Sequence, residues 1–335
     1  MSILLTGGLG YIGSHTAVEL LQAGEEVIII DNLSNSKIEV LDAIKEIVGD
    51  NAQNVKFYYG DARDEHFLQD VFKSNKIETV IHFAGFKAVG ESVKLPVNYY
   101  DNNIMSTIAI LKIMAKFNVK NIVFSSSATV YGRAKSMPIY EDFETTATNP
   151  YGRTKLFIEE ILKDVYYSDN NYNIVILRYF NPIGAHDSGL IGEDPNGIPN
   201  NLMPYICKVA RGDLECLNVF GNDYNTPDGT GVRDYLHVVD LAKGHLCAVR
   251  KIKENCGLKI YNLGTGNGYS VLDIVNAYNK VCGNKVKYKI VDRRPGDIDI
   301  CYANADKAYK EMGWKAERDL HCMCETCYKY SQSHK

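Results

Sequence analysis

The chain lacks any apolar run of the roughly 18 residues that a membrane-spanning helix requires, although 45% of its 335 residues are apolar. It also lacks an excess of positive charge, because 37 lysine and arginine residues stand against 41 acidic ones and give a net charge of −4. We therefore expect no nucleic-acid or membrane-binding surface. These absences favour a globular protein that acts on small molecules, and the length favours two lobes.

Cysteine is present in an odd number, nine, which is typical of reduced thiols in a cytosolic protein rather than of a disulfide framework. A secretory leader is not expected, because a glycine-rich pattern typical of a folded domain already begins at Thr6. Near the C-terminus lie four residues of types that bind zinc: His321, Cys322, Cys324 and Cys327. Their spacing is irregular and no second ligand pair is near, so we favour an amphipathic helix there over a metal site.

Short β-branched runs alternate with longer segments of helical period along the first half of the chain. The predicted strands are 3–6, 27–31, 55–59, 79–83, 121–125 and 174–179. The predicted helices are 11–22, 38–48, 65–73 and 97–118. This alternation predicts an α/β fold with a Rossmann-like, doubly wound parallel sheet.

Beyond about residue 180 the sequence becomes rich in proline, glycine, asparagine and aspartate, in 181–201 and again in 221–231. Such composition is typical of long loops, where binding residues concentrate. We predict that residues 1–180 form a Rossmann-like dinucleotide-binding lobe and that 181–335 mainly form a smaller α/β lobe for the substrate. A later segment, about 235–260, is expected to return to the first lobe.

Glycines at positions 7, 10 and 13 directly follow the first predicted strand and open the first predicted helix. This arrangement lets the backbone approach a pyrophosphate at a helix N-terminus. Asp31 ends the second strand, where a carboxylate can accept hydrogen bonds from the adenosine ribose and would repel the 2′-phosphate of NADP. The pattern therefore predicts NAD as cofactor, the alternative being that Asp31 is an ordinary turn residue.

Two further strand ends carry polar residues at the edge where doubly wound sheets bind ligands. Asp61, after the third strand, is a candidate for contacting the adenine. His82 ends the fourth strand, and there we favour a structural hydrogen-bonding role over a catalytic one.

Tyr151 and Lys155 lie four residues apart, a spacing that places both on one face of a helix. A cation beside the phenol lowers its pKa, so we expect Lys155 to make Tyr151 a usable base. Three serines, 125–127, follow an apolar strand, and a serine hydroxyl there can contact the same substrate oxygen as Tyr151. The alternatives are a chance surface pair and plain turn serines.

Several longer motifs resemble the family of UDP-glucose 4-epimerases, within the extended short-chain dehydrogenases/reductases. They are residues 6–15, 86–92, 125–132, 178–182, 198–204 and 231–235, and the resemblance covers about residues 2–320. It implies that NAD stays tightly bound and is regenerated in each turnover, while the sugar passes through a 4-keto intermediate. It also implies UDP-glucose and UDP-galactose as substrates and a homodimer as the assembly.

The resemblance assigns the catalytic roles to Ser127, Tyr151 and Lys155. The cofactor-binding positions that we predict are Gly7, Gly10, Tyr11, Ile12, Gly13, Asp31, Asn32, Asn35, Ser36, Asp61, Ala62, Phe83, Ala84, Gly85, Lys87, Asn102, Ser125, Tyr151, Lys155 and Tyr179. The predicted substrate-binding positions are Lys87, Ser127, Ala128, Thr129, Tyr151, Asn181, Asn201, Leu202, Asn218, Val219, Phe220, Arg233, Tyr235, Val271, Arg294, Asp297 and Cys301. Arg233 and Arg294 suit the pyrophosphate, because guanidinium groups pair bidentately with phosphate.

Cys301 falls where family members restricted to unsubstituted hexoses carry tyrosine and broader members carry a small residue. We therefore expect UDP-N-acetylglucosamine and UDP-N-acetylgalactosamine to be accepted too. Dehydratases of this group need an Asp-Glu pair just after the serine position, and Ala128 and Thr129 stand there instead. An epimerase of UDP-pentoses or UDP-glucuronate, and a non-catalytic NAD-binding regulator, remain as alternatives.

Overall fold

The computed structural model describes residues 2–197, 199, 201–294 and 297–334, so Ile198 and Asn200 of the motif 198–204 lie outside the described residues. Its strands are β1 (Ser2–Thr6), β2 (Glu26–Asp31), β3 (Val55–Tyr59), β4 (Ile77–His82), β5 (Asn121–Ser127), β6 (Asn173–Tyr179), β7 (Asn181–Ile183), β8 (Leu217–Phe220), β9 (Val232–His237), β10 (Leu258–Leu263), β11 (Gly268–Ser270), β12 (Tyr288–Val291) and β13 (Ile300–Cys301).

Its helices are α1 (Tyr11–Gln22), α2 (Glu39–Val48), α3 (Glu65–Ser74), α4 (Val89–Lys94), α5 (Pro96–Lys116), α6 (Pro150–Ser168), α7 (Leu202–Arg211), α8 (Val238–Ile252), α9 (Val271–Cys282), α10 (Asp306–Met312) and α11 (Leu320–Ser333). Among the residues that the structure describes, no helix combines the length and the apolar character needed to cross a bilayer.

A seven-stranded sheet in the order β10-β6-β5-β4-β1-β2-β3 forms the base of the site, and its neighbouring strands are parallel. Side chains alternate between its two faces. Leu4 packs among buried residues of α3, α5 and α6, whereas the next residue, Leu5, packs among those of α1, α2 and α8. The predicted doubly wound parallel sheet is therefore confirmed.

The ends of several elements differ from the prediction for local reasons. The helix predicted at 97–118 begins at Pro96, because proline suits the first helical position, and ends at Lys116, before Asn118 takes a left-handed φ of 55°. The strand predicted at 121–125 continues to Ser127, so all three serines belong to its last residues. The sheet thus delivers this polar cluster directly to its carboxyl edge.

The later part of the chain builds two small sheets and also returns to the large one. One small sheet has the order β11-β9-β13, with β7 also paired to β9, and the other pairs β12 with β8. Helices α7, α9 and α11 bury a separate apolar cluster beside them. Strand β10 pairs with β6, and α8 packs against α1. The division into two lobes near residue 180 stays a prediction.

Candidate active site

The turn between β1 and α1 requires glycine at several positions. Gly7 has a φ of 67°, and a Cβ on it would lie 3.0 Å from the backbone of Ala84. A Cβ on Gly13 would lie 2.5 Å from the Gly7 carbonyl oxygen. Gly10 caps α1 without a side-chain hydrogen bond, and the first turn carries no acidic residue. The N–H groups that begin α1, those of Tyr11, Ile12 and Gly13, are therefore available to an anion such as a pyrophosphate.

The carboxylate of Asp31 holds the neighbouring loops in place. It accepts hydrogen bonds from the Leu9 N–H at 3.0 Å, the Leu33 N–H at 2.9 Å and the Ser36 hydroxyl at 2.7 Å. A carboxylate offers about four acceptor sites, so about one remains for an external hydroxyl. The sequence offered two roles for Asp31, ribose binding and an ordinary turn residue; these bonds show that the carboxylate organises the turn, and its ribose-binding role stays a prediction.

One cleft of about 970 Å³ runs along the carboxyl edge of the large sheet, and all the residues predicted to bind the cofactor line it. Asp61 lies in this cleft and accepts hydrogen bonds from Arg63 and from the Asn32 amide. Hydrogen bonding to Arg63 lowers the pKa of Asp61 to about 2. The Asp61 carboxylate is therefore an ionised acceptor across the physiological pH range.

His82 supports the edge of the sheet from inside. Its Nδ1 lies 2.7 Å from the Thr6 hydroxyl, and its Nε2 lies 3.0 Å from the Thr107 hydroxyl. Burial lowers the pKa of His82 to about 3, so the ring is neutral. These contacts are the structural hydrogen-bonding role that the sequence favoured.

Tyr151 stands in the first turn of α6, beside the end of β5. It lines the cleft, and the Ser127 hydroxyl is near enough to affect its ionisation. Burial raises the pKa of Tyr151, while the interaction with Ser127 and the charge of Lys87 lower it. The phenol is thus placed against a hydroxyl and within the field of a cation.

Lys155 lies one helical turn after Tyr151 and is buried. Its Nζ donates a hydrogen bond to the Ser125 carbonyl oxygen at 2.7 Å, and burial lowers the pKa of Lys155 to about 8. Lys87 is a second cation near the phenol, and its charge lowers the pKa of Tyr151. The expectation that Lys155 also lowers the pKa of Tyr151 stays a prediction.

A buried ion pair lies beneath these residues. Glu159, one helical turn beyond Lys155, accepts hydrogen bonds from Arg178 Nε at 3.0 Å and Nη2 at 2.6 Å. It also accepts from the Ser126 hydroxyl at 2.5 Å. Glu159 and Arg178 are 0% and 2% exposed, so this pair is shielded from water. Neither Glu159 nor Arg178 was predicted as a site residue from the sequence, although a charged residue within the apolar run of β6 was a signal for Arg178.

Glu193, a third residue that was not predicted, joins the cleft to the later part of the chain. The Glu193 carboxylate accepts from Lys87 Nζ at 2.8 Å and from the Asn201 amide at 2.6 Å. Its side chain is 8% exposed. Lys87 and Asn201 were predicted from the resemblance, and Glu193 is the acceptor that brings them together.

The other predicted substrate positions lie mainly on the small sheets, outside the cofactor cleft. Arg233 on β9 is ion-paired with Asp297 and stands opposite Cys301 of β13. The Arg294 guanidinium lies 4.1 Å from the centre of the Phe220 ring. The remaining positions on this side are Asn181 on β7, Leu202 on α7, Asn218 and Val219 on β8, Tyr235 on β9 and Val271 on α9. Ala128 and Thr129 directly follow β5.

The C-terminal cysteines lie on α11, where Cys324 and Cys327 are buried in the apolar cluster of the small sheets. His321 pairs with Glu325 at 3.2 Å. Within residues 2–197, 199, 201–294 and 297–334, no group of three or more potential ligands is arranged to hold a metal ion.

Comparison with known proteins agrees with this geometry. Residues 4–327 match the family model described as GDP-mannose 4,6 dehydratase. UDP-glucose 4-epimerase of Bacillus subtilis is 57% identical over 333 residues, covering 99% of this chain and 97% of the relative. The human UDP-glucose 4-epimerase is 55% identical over 337 residues, covering 98% and 96%.

Solved structures of UDP-glucose 4-epimerases are also similar to this chain. The UDP-glucose 4-epimerase of Bifidobacterium longum in complex with NAD⁺ and UDP has a TM-score of 0.96 and 54% identity, covering 99% of this chain and 98% of that one. The UDP-Glc/GlcNAc 4-epimerase of Campylobacter jejuni has a TM-score of 0.85 and 32% identity, covering 99% of both chains. The chain therefore belongs to the UDP-glucose 4-epimerase family.

Proposed function

We propose that this enzyme interconverts UDP-glucose and UDP-galactose through a 4-keto sugar, with NAD as a bound cofactor. The observation that carries the proposal is the Tyr151 phenol, which lines the dinucleotide cleft and has its pKa lowered by the neighbouring Ser127 hydroxyl and by the charge of Lys87. Relatives of this chain carry the name UDP-glucose 4-epimerase, and similar structures contain NAD. A non-catalytic regulator is not favoured, because Tyr151, Ser127 and Lys155 are all present and placed together.

The residues that line the cleft fit NAD. The glycine turn leaves no space for a Cβ at Gly13 and offers free N–H groups to the pyrophosphate. The segment 190–196 then covers the cleft from the outside: Asp194 pairs with Lys37, and the Asn196 amide donates to the Ser34 carbonyl at 3.3 Å. These contacts support a cofactor that stays bound through many turnovers.

Tyr151 acts as the base in the proposed reaction. The phenolate takes the proton of the sugar C4 hydroxyl, holds it, and gives it back when the hydroxyl forms again. The interaction with the Ser127 hydroxyl and the charge of Lys87 both lower the pKa of Tyr151 and so favour the phenolate. When held by the residues that line the cleft, NAD⁺ would supply the hydride acceptor and donor that the reaction at C4 needs.

The nucleotide must stay fixed while the sugar presents its other face, so the binding energy should come from the UDP moiety. The small sheets supply suitable groups: the guanidinium groups of Arg233 and Arg294 for the pyrophosphate, and the ring of Phe220 beside them. The Oδ1 atom of Asn218 is a buried acceptor without a partner among the described residues. An unpaired buried acceptor at this position supports a ligand with an N–H donor.

We also infer a cytosolic location, since all nine cysteines are free thiols, and cell fractionation would test it.

Replacing Tyr151 by phenylalanine should remove the base and keep the fold. We expect kcat for UDP-galactose to fall by roughly 10²- to 10⁴-fold, the usual contribution of a positioned acid/base, with KM little changed. Chromatography of UDP-galactose and UDP-glucose after incubation measures this. Tyr167→Phe is the matched control, because Tyr167 lies on the same helix and is 75% exposed. Full activity of Tyr151→Phe would contradict the proposal.

Cys301 is proposed to set the tolerance for acetamido sugars. It is 8% exposed and pairs with Arg233 in the register of β13 and β9, and the proposal is that a larger side chain there takes volume from the sugar. We expect Cys301→Tyr to lower kcat/KM for UDP-N-acetylgalactosamine by roughly 10- to 200-fold, while UDP-galactose is retained. Cys301→Ser should keep both activities. If Cys301→Tyr turns over both sugars as before, the volume argument fails.

The homodimer is proposed on the basis of an exposed apolar surface on α5 and α6. Val97, Met105 and Phe157 are 74%, 47% and 45% exposed, and Tyr100 stacks on Phe157 with the ring centres 6.1 Å apart. Apolar side chains exposed together mark an interaction surface. The two helices pack on each other, so a second copy can bury both against its own pair.

Light scattering coupled to gel filtration tests the assembly. The wild-type protein should have twice the 37.5 kDa chain mass, and Val97→Asp should shift it to the mass of one chain. The control is Tyr309→Asp, at an apolar residue of α10 that is 60% exposed, which should leave the dimer intact. A wild-type protein that is monomeric at micromolar concentration would refute the dimer.

A further inference from the structure

His245 is a buried histidine behind the cofactor cleft that the proposed reaction leaves without a role. Tyr179 lines the cleft at the same end as Tyr151. On the far side of Tyr179, away from the cleft, the Nε2 atom of His245 lies 2.7 Å from the Tyr179 hydroxyl oxygen. His245 belongs to α8, is 0% exposed, and has its ring centre 4.8 Å from that of Phe83. The imidazole therefore occupies one fixed position.

The contacts of His245 fix its tautomer. Its Nδ1 lies 2.9 Å from the Leu241 carbonyl oxygen, which can only accept a hydrogen bond, so Nδ1 carries a hydrogen. Burial lowers the pKa of His245 to about 4, and the ring is therefore neutral at physiological pH. A neutral ring protonated at Nδ1 has a bare Nε2. The Tyr179 hydroxyl must accordingly be the donor in the contact with His245.

This direction of donation determines what Tyr179 offers to the cleft. The hydroxyl hydrogen points to His245, so only oxygen lone pairs are left on the other side. The Ser125 hydroxyl, at the end of β5, also interacts with the Tyr179 hydroxyl and lowers its pKa. Burial raises the pKa of Tyr179 well above its ordinary value, so the phenol keeps its hydrogen. One acceptor site then remains for a donor bound in the cleft.

We propose that His245 is a positioning residue that locks the Tyr179 hydroxyl as a hydrogen-bond acceptor for the carboxamide N–H₂ of NAD. The inference rests on the proposed cofactor. A carboxamide has a donor and an acceptor end, and a hydroxyl free to rotate could satisfy either one. A hydroxyl committed to His245 accepts the donor end alone, which fixes the rotation of the group and of the ring that carries it.

The test uses cofactor-free enzyme and two ligands, NAD⁺ and its 3-acetylpyridine analogue, in which a methyl replaces the carboxamide N–H₂. Dissociation constants are measured by titration calorimetry. Wild-type enzyme should bind NAD⁺ roughly 5- to 30-fold more tightly than the analogue, the range expected for one hydrogen bond. Tyr179→Phe and His245→Leu should each lose most of this preference.

The variant set separates positioning from stability. His245→Gln keeps an acceptor for the Tyr179 hydroxyl and should retain most of the preference for NAD⁺ over the analogue. The double variant Tyr179→Phe, His245→Leu should keep the same residual preference for NAD⁺ over the analogue as each single variant, because both substitutions remove the same contact. If His245→Leu does not fold, Tyr179→Phe and His245→Gln still carry the comparison.

Three results would overturn the proposal: a wild-type enzyme that does not distinguish the two ligands, a Tyr179→Phe or His245→Leu enzyme that keeps the full preference, or additive losses in the double variant. A lower melting temperature with unchanged preference would assign His245 to stability alone. These results differ from a failure of the proposed function, in which the wild-type enzyme would neither bind NAD⁺ nor interconvert the two UDP-hexoses.

Discussion

The buried pair of Glu159 and Arg178 is the interaction on which the geometry of the active site depends. Its groups come from α6 and β6, and the Ser126 hydroxyl adds β5. Breaking such a pair leaves an uncompensated charge and costs several kcal/mol, so the three elements are held in one arrangement. Because α6 begins next to Tyr151 and β5 ends at Ser127, fixing the helix against the strand also fixes the phenol against the hydroxyl.

Two lysines near the buried pair of Glu159 and Arg178 make different contacts. Lys155 donates a hydrogen bond to the Ser125 carbonyl, and the charge of Lys87 lowers the pKa of Tyr151. Lys87 is itself paired with Glu193, which also binds the Asn201 amide at the start of α7. The position of Lys87 is thus tied to the segment that leads into α7. We interpret Glu193 as the residue through which the two sides of the site are aligned.

Much of the fold was predictable because its signals are local. The glycine turn, the alternating strands and helices, and the i, i+4 pair of Tyr151 and Lys155 are all written in short stretches of sequence. The parts that were not predicted depend on residues distant in sequence. His245 meets Tyr179 across 66 positions, and Glu193 meets Lys87 across 106. The spacing predicts that Lys155 and Tyr151 share a face of α6, but the hydrogen bond from Lys155 to the Ser125 carbonyl of β5 could not be predicted from it.

The claim that the pair of Glu159 and Arg178 positions Tyr151 is tested most directly by replacing both with apolar residues, in the double variant Glu159→Leu, Arg178→Met. Such a replacement is often neutral or stabilising for the fold, so the melting temperature should stay close to that of the wild type. The ion pair and the Ser126 contact would be gone, and kcat should fall roughly 10- to 100-fold, because small displacements of reacting groups are costly. A folded double variant with wild-type kcat would show that the buried pair does not position Tyr151.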